Sequence, residues 1–350
     1  MSMILTMILV LSLVLAAMAV TTRHAGGMQL FAEVQTTTSE GLSVEMKTYY
    51  DMTLIDEAEA NLVHEQFGQK RPIPANGGLK IEFRKFASLP KALTPLTEGV
   101  TPPGKSLSVS KIEATVSQYG DFVTQSDVLE MTAIDNTIVE ATKVLGRQAG
   151  MTLDTIVRNV MQSGNNVTYC PKVAADGAET PVTSRATLDN TCQLTVKVLQ
   201  QVVAKLRAQN APTINGKYVA IVHPYVAYDL MQDKDWKYPH QYAAPENIFN
   251  GEIGEIAGVR FLESSEAKIY TGGVFGTLIF GDGAYGVTEV TGGGLQTIIK
   301  QKGSAGTADP LDQRSSVGWK AMRTAEILIP QYLVRVESKS AAFSATATEN

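Results

Sequence analysis

Hydrophobic positions recur along this chain with two clear periods, which divide it into elements before composition is considered. Over residues 44–66, Met46, Leu54, Ile55, Ala58 and Leu62 fall at helical spacing, and Gly68 supplies a stop, so a helix is predicted. The segment QKRPIPANGG that follows is a cluster of breakers. Leu79, Ile81 and Phe83 then alternate with Lys80, Glu82 and Arg84, the two-residue period of a half-buried strand. A second strand is predicted through Leu107, Val109, Ile112, Ala114 and Val116, with a phase slip after Val109 that suggests a bulge. Between them runs KFASLPKALTPLTEGVTPPGKS, with four prolines and no room for regular structure. Unstructured loops of that length are uncommon inside compact domains. Leu89, Leu93 and Leu96 also lack evident partners. A two-stranded hairpin with an apolar, proline-stiffened tip is expected to lie on another chain.

The longest helical pattern starts at Asp135 and continues through Ile138, Leu145, Ala149, Leu153, Ile156 and Val160, with Gly164 ending it. A further helix is predicted from near Asp189, with Leu194, Val198, Leu199, Val202, Val203 and Leu206 on its apolar face and Asn210 and Pro212 closing it. Strands follow at residues 217–224, 258–264 and 277–280, and a final pair at 319–329 and 331–338 is split by Pro330. Helices and strands neither alternate strictly nor segregate, so the fold class is α+β. The small, polar tail from Ser340 is expected to fray.

The chain has no charged residue before Arg23, and residues 4–20 are predominantly apolar. As a helix that run spans roughly 25 Å, short of a hydrocarbon core of about 30 Å. Ala17-Met18-Ala19 resembles a signal cleavage site, yet no basic residue precedes the run as a secretory signal requires. The alternative is upstream sequence, with translation starting at Met28. A net charge of −5 gives no general reason to expect nucleic-acid binding through basic patches. Cys170 and Cys192 are expected to be free thiols.

Candidate chemistry is sparse. GDGAYG, residues 281–286, satisfies G-x-G-x-x-G, but GVTEVTGGG follows it where a dinucleotide site needs a helix, so it reads as a turn between strands. His24, His64, His223 and His240 form no metal-ligand spacing. There is neither a G-x-S-x-G elbow nor a phosphate-binding loop. No catalytic, cofactor or metal site is predicted, and no enzyme.

The blocks QFGQKRPIPANGGLKIEFRKF, LPKALTPLTEGVTP, QYGDFVTQSDVLEMTAID, GKYVAIVHPYVAYDL, PENIFNGEIGEIAGVRFLESSEAKI and KGSAGTADPLDQRSSVGWKAM resemble, in the same order, the major capsid proteins of tailed bacteriophages. The branch they most resemble is that typified by the short-tailed coliphage N-four. The resemblance implies a Hong Kong 97-type capsid fold. Residues 1–27 would be a leader outside the mature fold, 28–78 the N-terminal arm and helix, and 79–119 the long hairpin called the E-loop. Residues 120–212 would be the first part of the P-domain with its spine helix, 213–294 the A-domain, 295–339 the return strands of the P-domain, and 340–350 a tail. It also implies hexamers and pentamers in an icosahedral shell around packaged double-stranded DNA that the protein contacts weakly. Scaffold, portal and decoration proteins are implied as further partners, with no small-molecule substrate, no cofactor and no membrane. The expected location is the virion, assembled in the host cytoplasm, which makes the residues before Met28 an artefact or a dispensable extension.

Charge suggests how such subunits meet. Residues 79–120 hold Lys80, Arg84, Lys85, Lys91, Lys105 and Lys111 against Glu82, Glu98 and Glu113, a net of +3. Residues 121–140 hold Asp121, Asp127, Glu130, Asp135 and Glu140 with no Lys or Arg. The expectation is that one subunit's hairpin crosses this acidic stretch of its neighbour. Arg84, Lys85 and Lys91 would face Asp127, Glu130 and Asp135 while Leu89, Leu93 and Leu96 bury apolar area. Competing expectations are an encapsulin-like nanocompartment shell and a secreted or membrane-anchored β-rich binding protein.

Overall fold

The computed structural model describes residues 44–350 except 60–61, 75, 87–88, 97, 102–103, 135, 175, 237–253, 305 and 307–308. The apolar stretch before Met28 and the expected arm start lie outside the described residues. The chain divides into two units, Met1–Met46 and Lys47–Asn350. Of the first, only residues 44–46 are described, and they open a helix; the sheets and cores belong to the second.

In order, the elements are α1 (Val44–Glu59), β1 (Gln69–Lys70), β2 (Lys80–Phe86), β3 (Val109–Thr115), β4 (Ser117–Ser126), α2 (Asp127–Thr132) and α3 (Thr137–Gln162). Then come β5 (Val167–Tyr169), β6 (Lys172–Val173), β7 (Glu179–Thr180), α4 (Val196–Ala208), β8 (Tyr218–Val222) and α5 (Pro224–Gln232). The remainder is β9 (Glu255–Ile256), β10 (Val259–Glu263), β11 (Ile269–Tyr270), β12 (Val274–Phe280), β13 (Tyr285–Thr288), β14 (Gln296–Lys300), β15 (Arg314–Ile327) and β16 (Leu333–Lys339). Beside the two-stranded β2-β3 and β6-β7 pairs there are two larger sheets: the first runs β1-β13-β15-β14, with β4 also on β15, and the second runs β5-β16-β12-β8-β10-β9, with β11 on β12. Sheet membership crosses the boundaries expected at 213 and 294: β5 and β16 join the second sheet, while β13 joins the first.

The long helix α3 ties the sheets together. Its Leu145, Ala149 and Leu153 pack on Val317, Trp319 and Ala321 of the first sheet. Its last turns place Val157 and Met161 against Ile221, Leu278 and Phe280 of the second. Helix α4 covers the second sheet with Leu199, Val202 and Leu206. Helix α1 lies on α3 at two glycines. A Cβ at Gly146 would fall 2.8 Å from the Leu54 carbonyl oxygen, and one at Gly150 would fall 2.5 Å from that of Ala58.

Several expectations change for local reasons. Helix α4 begins at Thr195, whose hydroxyl accepts from Val198 N, not near Asp189. Asp189 Oδ1 instead accepts from the Thr191 amide and hydroxyl, which holds that stretch in a turn. Helix α1 ends by Glu59 rather than Gln66, and the amide of His64 donates to Asp154 Oδ1 of α3 at 2.7 Å. The breaker cluster contains β1, parallel to β13; Arg71 N and Ile73 N donate to Val287 O and Glu289 O, so Pro72 sits where no donor is needed. The β2–β3 register runs unbroken from Lys80↔Thr115 to Phe86↔Val109, so there is no bulge. The phase slip marks the strand's beginning at Val109, with exposed Leu107 outside it.

The tail is packed, contrary to the expected fraying. Phe343 stacks on Tyr225 at 4.2 Å, Ser344 Oγ donates to Gly273 O, and Asn350 Oδ1 accepts from Ile269 N. GDGAYG is a turn between β12 and β13, with Gly283 at φ 67°. Cys170 and Cys192 are both buried free thiols.

His223 makes this part of the fold pH-sensitive. Its Nδ1 accepts from Tyr225 N at 3.2 Å as the cap of α5, and its ring packs on Phe275. Burial pushes its pKa below the usual 6.5. The folded state therefore binds fewer protons here, so the stabilisation holds above the unfolded pKa and is lost as the pH falls from there through the lowered folded value. Thermal melts at pH 7.5 and 5 are expected to show a larger acid loss for the wild type than for His223→Asn, which keeps a capping oxygen. Equal losses would refute this role.

Candidate subunit-contact surfaces

The hairpin has a fixed root and a bare tip. Phe83 and Ala114 are buried against Leu328, and the Arg71 guanidinium stands 5.7 Å from the Phe83 ring centroid. On the outer side, Glu82 lies 3.2 Å from Lys111 Nζ and 3.6 Å from Arg84 Nη2, so part of the hairpin's positive charge is matched at its root. Lys85 lies in β2 opposite Ser110. Beyond the strands, Leu89, Leu93 and Leu96 are 51%, 82% and 78% exposed, and Lys91 is exposed beside them. These leucines find no cover among the described residues of their own subunit.

The acidic stretch is less acidic than its sequence. Glu130 Oε2 lies 2.8 Å from Lys302 Nζ, Glu140 Oε1 lies 2.8 Å from Lys143 Nζ, and Asp127 Oδ1 accepts from the amide of Val128. Asp121 accepts from Gln148 Nε2 at 2.6 Å and from the Phe122 amide, bonds that hold its carboxyl below the usual range. Asp135 lies outside the described residues. Lys302 is 172 positions from Glu130 in the chain, so charge counting within one segment misses the pair.

What charge counting missed is apolar. Helix α2 is capped by Ser126, whose Oγ accepts from Leu129 N, yet none of its residues is buried. Val128, Leu129 and Met131 are exposed, as are Ile134 just after it, Phe122 before it and Leu311 in a later loop. The signal was visible as VLEM and Ile134 in a segment read only for carboxylates. Among the described residues no group of three or more His, Cys, Asp or Glu could hold a metal ion, and no helix is long and apolar enough to cross a membrane.

Two families of comparison bear on this geometry. A family model described as phage capsid protein matches residues 110–336, from β3 into β16. No curated protein matches the sequence. Among solved structures, the cyanophage Pam1 capsid asymmetric unit aligns with a TM-score of 0.62 at 11% identity, covering 90% of this chain and 98% of that one. The capsid of Ralstonia phage GP4 aligns with a TM-score of 0.60 at 15% identity, covering 88% and 96%. The cyanophage P-SCSP1u capsid gives 0.60 at 14% identity, covering 88% and 94%. At such identities the likeness is one of fold, the Hong Kong 97-type α+β fold of phage shell subunits. With the family model spanning well over half of the chain and the fold matching phage shell subunits along nearly its whole length, this chain belongs to the phage capsid protein family and is a major capsid protein.

Proposed function

We propose that the subunits join by laying the hairpin tip of one across the α2 region of the next. Hexamers and pentamers built this way close into an icosahedral shell around packaged double-stranded DNA. The observation that carries the reading is that Leu89, Leu93 and Leu96 on the tip and Val128, Leu129 and Met131 on α2 are all exposed in the subunit. Large apolar side chains left this exposed at neighbouring positions in the sequence are candidates for burial against a second subunit. Apolar burial supplies most of the hold; Arg84, Lys85 and Lys91 facing Asp127, Glu130 and Asp135 supply orientation and rate. Because Glu130 is already matched by Lys302, the charge contribution is the smaller one.

In the same reading, residues 28–78 form the arm, 79–119 the E-loop, 120–212 and 295–339 the P-domain, and 213–294 the A-domain, within the N-four branch. Scaffold, portal and decoration proteins are partners, DNA contact is weak, and assembly takes place in the host cytoplasm.

The test separates the two contributions. Lys85→Glu with Lys91→Glu is expected to slow assembly, followed by light scattering, and to steepen its salt dependence. Leu93→Ser with Leu96→Ser is expected to abolish shells in negative-stain electron microscopy while leaving a folded subunit. Shells forming at the wild-type rate from both variants would sink the hairpin contact.

A further inference from the structure

Two cysteines meet at the edge of β16. Arg335 N donates to Asn166 O, the parallel pairs Arg335↔Val167 to Glu337↔Tyr169 follow, and just past the end of β5 Cys170 N donates to Glu337 O at 3.0 Å. The next rung of a regular parallel ladder is a bond from Lys339 N to the Cys170 carbonyl. Lys339 N donates instead to Cys192 O at 2.9 Å. Cys192 thus takes the place in which β5 would have continued, beside the residue at which it stops. Glu337 and Lys339 lie two strand residues apart, about 6.6 Å. A disulfide spans roughly 4.4–6.8 Å between Cα atoms. Both thiols are fully buried in one core cluster with Leu188, Leu194 and Val336. Burial pushes both thiols up, and Cys170 is pushed further by the charge that a nearby Cys192 thiolate would carry.

We propose that Cys170 and Cys192 are a redox pair, two thiols in reducing surroundings that close into a disulfide within one subunit when the medium turns oxidising. The oxidant is a small-molecule disulfide such as oxidised glutathione. One cysteine thiolate attacks a glutathione sulfur and expels the first glutathione thiolate; the other cysteine then attacks the protein-side sulfur of the mixed disulfide and expels the second. Two electrons pass from the cysteines to glutathione, and the two thiol protons end on the two glutathiones released. The chain between the cysteines must open to admit the oxidant. Its β6–β7 hairpin pairs only two residues on each strand, and β7 is exposed. Segments with so little buried surface open locally more easily than a core strand does. Until they open, burial keeps the thiols protonated and unreactive, so the dithiol is the resting form. Closure fastens both ends of residues 170–192 beside Glu337, the carboxylate to which Arg185 of this segment binds. On the reading that shells assemble in the cytoplasm, the pair closes after the particle leaves it. The exchange itself needs only the subunit, so its failure and that of the assembly contact are distinguishable.

The test uses the full chain, purified with a reductant, freed of it, incubated overnight with oxidised glutathione and quenched with an alkylating agent. Trypsin cuts after Arg158, Lys172, Arg185 and Lys197, so mass spectrometry is expected to show peptides 159–172 and 186–197 joined, with the intact subunit lighter by two hydrogens. The oxidised subunit is expected to melt about 5 °C higher, because the bond closes a loop of more than twenty residues. Dithiothreitol is expected to reverse both changes. Cys192→Ala is expected to show neither the link nor the shift, and Cys170→Ala serves in its place if that variant does not fold. Two alkylated cysteines in the folded, oxidised wild type would overturn the proposal. So would glutathione left on either cysteine without an internal link, or a link between subunits in place of one within.

Discussion

Gly150→Val is expected to lift α1 off α3 and to destabilise the subunit by about 3–5 kcal/mol. A Cβ at this position would stand 2.5 Å from the Ala58 carbonyl oxygen and 3.0 Å from its Cα. Both are backbone atoms, so no rotamer change relieves the contact and the helix must move as a body. Overpacking of this kind typically costs about 1–3 kcal/mol. Displacing Leu54, a fully buried residue of α1, forfeits about 1.5–3 kcal/mol more. For a chain of this size, a fall in melting temperature of roughly 10 °C follows. Gly104→Ala is the control: a Cβ there meets nothing within 4 Å, and its melting temperature is expected to stay within about 2 °C of wild type. A Gly150→Val subunit that melts with the control would show that the two helices do not depend on this close approach.

Glu337→Ala is expected to cost a similar amount, for an electrostatic reason. Glu337 is fully buried in β16, where it accepts from Arg185 Nε and Nη2 at 2.7 and 2.6 Å, and Arg335 Nε lies 3.0 Å away. The Arg185 guanidinium also stacks 3.6 Å from the Tyr270 ring centroid, and Tyr270 OH donates to Gln162 Oε1 at the end of α3. The network thus joins α3, the segment at Arg185 and the second sheet. Removing one partner of a buried ion pair typically costs about 3–5 kcal/mol; Arg335, 13% exposed, is the charge left uncompensated, while Arg185, 38% exposed, regains water and adds little. Glu337→Gln keeps the shape and an accepting oxygen, so urea midpoints are expected to fall in the order wild type, Gln, Ala. A Gln midpoint equal to that of the wild type would mean that shape rather than charge is what Arg185 and Arg335 need, and would overturn the electrostatic account.

The elements that were legible were those whose own periodicity demands them. Alternation through Ile81 and Phe83 marks β2 because one face of that strand must be buried whatever it packs on. The repeat from Ile138 to Val160 marks α3 for the same reason, and the apolar runs at β8, β10 and β12 read directly as strands. The exposure of the hairpin tip was also legible, since leucines scattered among prolines have no face of their own to bury. β1 was not legible, because two residues among prolines and glycines become a strand only when the edge of β13 offers them hydrogen bonds. The tail was not legible either: Ser344 and Asn350 are held by backbone groups of Gly273 and Ile269 that are far away in sequence.

The candidate contact was half legible. The tip leucines are legible from their isolation among prolines, whereas the exposure of Val128, Leu129, Met131 and Ile134 is not, because a short apolar stretch carries no sign of whether it is covered. Only the fold shows that none of the residues of α2 is buried among the described residues. The acidic stretch erred in the opposite direction, since Lys302 comes from a distant loop to meet Glu130.

By itself, then, the sequence determined the local elements, the apolar hairpin tip and the resemblance to phage shell proteins, because side-chain periodicity and motif order are properties of neighbouring residues. The tertiary structure alone decided which sheet each strand joins, where two glycines let α1 rest on α3, which charges are already matched, and which apolar residues remain uncovered. Each of these depends on pairs of groups brought together across tens or hundreds of positions, and burial and Coulomb energies act through distance in space rather than along the chain.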